Sequence, residues 1–110
     1  MSESNLLLDR LTKKIEIQEK IKTNDGFGGF SEEWKKFKTV WAEIKPINMF
    51  ENFEAEKISE KITHVITIRY FSGFKTTYRI KYNERIFKVK AVINPEEKSK
   101  ILQITVEEIL

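Results

Sequence analysis

Apolar and polar side chains alternate along this chain in short runs. Ile15, Ile17 and Ile21 fall on one side at period two, with Lys14, Glu16, Gln18 and Lys20 on the other. Such alternation over residues 12–21 predicts a half-buried antiparallel strand. The strand runs into Asn24, Asp25, Gly26, Phe27, Gly28 and Gly29, which include three of the chain's four glycines. That cluster predicts a flexible loop with positive-φ positions. A second strand is expected over 34–46, with an imperfect pattern. Phe37 and Trp41 share one parity, while Val40, Ala42 and Ile44 share the other. A bulge, or burial of both faces over part of the length, would produce this, and Pro46 would end the strand.

Residues 48–61 break the alternation. Met49, Phe50, Phe53, Ala55 and Ile58 stand among Glu51, Glu54, Glu56 and Glu60, without a β-branched run. Asn48 is a good N-cap residue, and Glu51 occupies the position three residues on. The pattern predicts a short helix. From Asn48 to Glu60 it carries four acidic residues and one basic residue, Lys57, a net charge of −3.

Period two then returns. Ile62, His64, Ile66, Ile68 and Tyr70 form one face of a strand whose other face is Thr63, Val65, Thr67 and Arg69. Tyr78, Ile80 and Tyr82 alternate with Arg79 and Lys81, and Asn83–Glu84 reads as a tight hairpin turn. Phe87, Val89, Ala91 and Ile93 alternate with Lys88 and Lys90; Leu102, Ile104 and Val106 close the series. Six short strands with hairpin-length links predict a mainly β fold. The expected architecture is a small antiparallel β-barrel with one short helix between the second and third strands. Residues 1–10 read as an N-terminal tail and residues 11–110 as a single barrel domain.

Composition narrows the functional classes. The chain has 110 residues, 40% of them hydrophobic, which suffices for a core in one domain. Twenty basic and 17 acidic residues leave +3, too small a surplus to demand a nucleic-acid partner. With no cysteine and one histidine, thiolate chemistry, cysteine-ligated zinc, a histidine metal cage and a Ser-His-Asp triad are hard or impossible to build. The longest apolar run near the start is Leu6–Leu7–Leu8, too short for a secretory signal, and no stretch is long enough for a membrane-spanning helix. Composition therefore predicts a soluble, intracellular protein that is not an enzyme and needs no cofactor or metal.

Candidate chemistry is thin. Adjacent carboxylates such as Glu32–Glu33, Glu96–Glu97 and Glu107–Glu108 point to opposite faces of a strand or into solvent, which does not make a catalytic dyad. His64 shares a face with isoleucines and is expected to be a hydrogen-bonded residue beneath the core. The glycine cluster lacks the Lys-Ser/Thr of a phosphate loop. Arg79, Lys81, Lys88 and Lys90 lie on outward faces of neighbouring strands, so a single-strand nucleic-acid-binding barrel is an alternative, although the nearby aromatics have inward parity. No large exposed apolar stripe is visible, which predicts weak self-association in isolation.

The order of parts nevertheless resembles a known family. The first strand and its Asp25–Gly26 and Gly28–Gly29 loop lead to Trp34 and to Val40–Trp41–Ala42. The Phe50-to-Ala55 stretch, the Thr63-to-Tyr70 strand and Val92–Ile93–Asn94–Pro95 then follow in sequence. This resembles the phage head-closure family, the head–tail joining or stopper proteins of long-tailed double-stranded DNA phages and prophages. The resemblance implies a non-catalytic virion protein of the neck, assembled in the host cytoplasm, with no membrane partner. It implies a homo-oligomeric ring, dodecamer or hexamer, docked on portal or adaptor proteins, retaining packaged DNA and offering a surface to tail proteins. Double-stranded DNA would pass without sequence-specific binding. The channel-closing element would fall on 47–61, with Asn48, Met49, Phe50, Glu51, Phe53, Glu54 and Lys57 carrying it. The loop containing Asp25, Gly26, Phe27, Gly28 and Gly29 is long enough to contact a neighbouring subunit or the adaptor. A tail-terminus or tail-completion protein of the same neck is the nearest alternative.

Overall fold

The computed structural model describes residues 9–24, 26–47 and 61–110. Six strands, β1 (Lys13–Asn24), β2 (Phe30–Pro46), β3 (His64–Arg69), β4 (Arg79–Tyr82), β5 (Arg85–Ile93) and β6 (Ile101–Ile109), close an antiparallel barrel in the order β1-β2-β3-β6-β5-β4. The expected fold class is therefore found. Among the described residues the helical content is one 3-10 turn, Pro95–Glu97. The helix expected over 48–61 falls on 48–60, outside the described residues.

Cross-strand register explains the core. Residues directly opposite one another point to the same side of a sheet, so apolar pairs stack in rows around the barrel. Ile17 faces Ile80, which faces Phe87. Ala42, Ile68 and Leu102 form a second row, and Ile44, Ile66, Ile104 and Val92 a third. Ile17, Ile66, Ile80, Phe87 and Ile104 are wholly buried.

Two bulges correct the simple alternation. On β2, Ile17 pairs with Lys38 but Gln18 pairs with Lys36, leaving Phe37 as the extra residue. This resolves the mixed parity of that strand: Val40, Ala42 and Ile44 serve the core, while Trp41 points out. On β5, Val89 pairs with Val106 and Ala91 with Thr105, so Lys90 is the extra residue. Beyond it the parity flips. Val92 packs on the core, while Ala91 and Ile93, expected to face inward, are exposed.

The β1–β2 hairpin continues well beyond the barrel. β1 meets β4 only from Glu16 to Gln18, while its pairing with β2 runs on to Asn24 and Phe30. The distal part is a two-stranded arm, and the molecule is accordingly 57 Å long but only 34 by 27 Å across.

Phe87→Ala is expected to remove about 3–5 kcal/mol of stability, the usual cost of emptying a large buried aromatic site. Trp41→Ala, at a side chain 56% exposed, is expected to cost under about 1 kcal/mol. Urea denaturation of both variants checks this ranking; equal losses would contradict the placement of Trp41 outside the core.

Candidate functional site

Three surfaces stand out: the arm, the mouth of the barrel beside it, and the opposite mouth. The arm is held at its root. The Arg79 guanidinium lies 4.4 Å from the Trp34 ring centroid, and its Nε donates to Gln18 Oε1 at 2.6 Å. Gln18 in turn donates to Glu16 and is buried under this cluster despite its outward parity. Lys20 bonds Glu32 at 2.7 Å farther out. An isolated two-stranded hairpin is marginal in water, so these clamps at the root matter for its direction.

At the tip, Gly26 and Gly28 both have φ of +83°, a conformation that favours glycine, as the sequence implied. Asn24 Oδ1 accepts from the Gly26 N–H at 2.9 Å. Phe27 is 95% exposed and Phe30 is 70% exposed. Of the contact-loop residues predicted, Gly26, Phe27, Gly28 and Gly29 sit at this tip; Asp25 lies outside the described residues.

At the arm-side mouth, four rings meet. Phe37 stacks near Tyr78 with centroids 5.0 Å apart, Tyr78 meets Phe74 edge-on at 5.3 Å, and Phe71 contacts both Phe74 and Phe37. Lys38 Nζ sits 4.0 Å above the Phe71 ring. Beside this cluster an open groove of about 480 Å³ is walled by Leu11, Val40, Trp41, Tyr70 and Phe71, with Lys38 and Arg69 on its rim. Sequence reasoning missed this groove because its walls come from three separated stretches.

The opposite mouth is polar. Arg85 forms a two-pronged pair with Glu108, Nε to Oε2 at 2.9 Å and Nη2 to Oε1 at 3.1 Å, and Nη2 also lies 3.3 Å from His64 Nε2. Thr63 Oγ1 sits 2.9 Å from His64 Nδ1 and accepts from the Glu108 N–H at 2.7 Å. His64 meets Phe87 edge-on, in keeping with a hydrogen-bonded histidine beneath the core. Burial and the neighbouring Arg85 charge push the His64 pKa down, while the bond from Arg85 holds the Glu108 carboxyl below its usual range.

This same mouth is where the chain leaves and re-enters the barrel. Ile47 donates its N–H to the Thr63 carbonyl at 3.0 Å, and Thr63 donates to Val106 at 2.9 Å. The predicted channel-closing residues Asn48, Met49, Phe50, Glu51, Phe53, Glu54 and Lys57 lie between these anchors, outside the described residues.

The outward basic stripe is interrupted by carboxylates. Lys90 bonds Glu107 at 3.3 Å, Lys81 pairs in register with Glu16, and Arg79 is engaged with Trp34. A stacking platform with a continuous basic groove is not what these strands present.

The fold and surfaces define a class: a small closed antiparallel β-barrel carrying a projecting two-stranded arm, an aromatic groove and a pinned return point. The family can be named: the chain belongs to the phage head completion proteins, whose family model matches residues 7–109. The solution structure of a protein from Shigella flexneri 2a is similar, with a TM-score of 0.76 and 27% identity, covering 90% of this chain and 93% of that one. A chain in the virion of a native gene transfer agent particle shares the fold, with a TM-score of 0.62 and 22% identity over 91% of this chain and 96% of that chain. No curated protein matches the sequence.

The two pKa shifts act in the same sense on stability. His64 binds a proton less readily when folded, so its contribution is full above the ordinary histidine value of 6.5 and declines as pH falls below it. Glu108 adds a contribution that is lost at lower pH, below the ordinary carboxyl value of 4.5. The melting temperature is expected to fall in two stages from pH 8 to pH 3, and His64→Gln should abolish the upper stage alone. A melting temperature that stays flat between about pH 7 and 5 would contradict the His64 assignment.

Proposed function

We propose that this chain is a ring-forming head-closure subunit of a phage or prophage neck. Copies dock beneath the portal and its adaptor after genome packaging, retain the DNA, and offer the tail its attachment surface. The role is structural and involves no catalysis. The observation that carries this reading is the family match over residues 7–109.

The geometry of the polar mouth supports the assignment of a closing element. Because Ile47 and Thr63 are bonded to each other, the fifteen residues between them start and finish at one point. Half that contour gives a reach of at most about 25 Å. We assign Asn48, Met49, Phe50, Glu51, Phe53, Glu54 and Lys57 to the element that reaches toward the channel. Its net charge of −3 over residues 48–60 disfavours adhesion to phosphate, so DNA passes without being held. Phe50 and Phe53 supply apolar contacts between copies in the closed state.

Electron microscopy of a lysate from a phage or prophage lacking this gene tests the role. The expected result is tailless heads that have lost their DNA, beside free finished tails. Full heads with normal tails would overturn the proposal, and DNA-filled heads without tails would reduce the role to joining without sealing. Replacing Phe50 and Phe53 together by serine is expected to leave the barrel's melting temperature unchanged while raising the fraction of empty heads.

A further inference from the structure

We propose that the acidic, phenylalanine-bearing tip of the arm on one copy seats in the aromatic groove beside Trp41 on the next. This rests on the reading of the chain as a ring subunit and names the contact that would link its copies. The first argument is apolar: Phe27 and Phe30 are 95% and 70% exposed at the tip, and Trp41 is 56% exposed in the groove. Exposed side chains of this size, Phe30 at the tip and Trp41 in the groove, favour a surface that covers them.

Charge supplies the second argument. From Asn24 to Glu33 the chain carries Asp25, Glu32 and Glu33 and no basic residue. Glu32 is held by Lys20 within the arm, and Glu33 is exposed. The groove has Lys38 and Arg69 on its rim and no carboxylate among its described lining residues. An acidic knob thus faces a cationic rim, which fixes the orientation of docking.

The third argument identifies the occupant as another molecule. Phe30 and Trp41 lie on the same strand, β2, eleven residues apart. At strand rise this separates them by about 35 Å, so a tip cannot reach its own groove. A contact joining two different patches of identical chains is head-to-tail. Repeated around an axis it builds a closed ring or an open filament, whereas made reciprocally between two copies it gives a two-fold dimer; the reading as a ring subunit selects the first.

The test is site-directed cross-linking in assembled particles. A photoreactive benzoylphenylalanine at position 41, replacing one exposed aromatic by another, is expected to give covalent dimers whose linkage maps to residues 24–33 of a second copy. Linkage to residues 1–8 of the same chain, or to another virion protein, would overturn the proposal, as would the absence of any cross-link. If that chain does not assemble, the natural lack of cysteine allows a second measurement on purified protein. Mixed Phe30→Cys and Trp41→Cys chains should oxidise to the mixed dimer at least on the order of tenfold faster than either alone, because docking raises the local thiol concentration. Equal rates would sink the contact. Particles that keep their DNA and tails but show no link from position 41 to the tip would remove this contact and leave the closure role standing.

Discussion

One extra residue in β2 governs the shape of this molecule. A barrel strand must stay paired on both edges, and β1 satisfies that condition only from Glu16 to Gln18 against β4. At that point Phe37 is inserted opposite the step from Ile17 to Gln18, and an inserted residue bends its strand and adds twist. The hairpin is released from the barrel wall as an arm instead of being wound into it. The same insertion turns Phe37 onto Tyr78, so the ring cluster that covers the arm-side mouth and the departure of the arm share one cause.

Among the described residues the arm pairs with nothing along its two outer edges, which is an aggregation hazard. Here Lys20, Lys22, Lys35 and Lys36 are distributed along both strands beyond the barrel, and lysine on an edge resists pairing with a foreign strand. The contrast with the tip is informative: residues 24–33 contain no lysine at all. Charge therefore discourages contact along the flanks and permits it at the end. The barrel needs no such protection, since closure removes its edges.

Most of the barrel was legible from period two, because a half-buried wall leaves a direct mark on its sequence. Ile66 and Ile68, Tyr78 and Ile80, and Leu102, Ile104 and Val106 all face where their alternation puts them. The failures cluster at bulges. Ala91 and Ile93 continue the rhythm of Phe87 and Val89 in sequence, yet Lys90 interrupts the register and turns them outward. An insertion of one residue has no composition of its own, so nothing in the string marks it. The loop glycines announced the tip. The length of the arm went unannounced, because beyond Ile21 and Trp34 both of its strands are exposed and carry no apolar stripe. The groove at Trp41 depends on which distant stretches become neighbours, which alternation does not encode.

The hydrogen bond between Ile47 and Thr63 separates two evolutionary problems. Because the chain is tied off there, the register of β2, β3 and β6 is indifferent to what lies between the two anchors. The entropy of closing a loop rises by only about 0.6 kcal/mol for each doubling of its length. The stretch can be lengthened, shortened or rewritten at little cost to the six-stranded wall. Sequence change can thus be concentrated in this one insert while the fold is inherited intact.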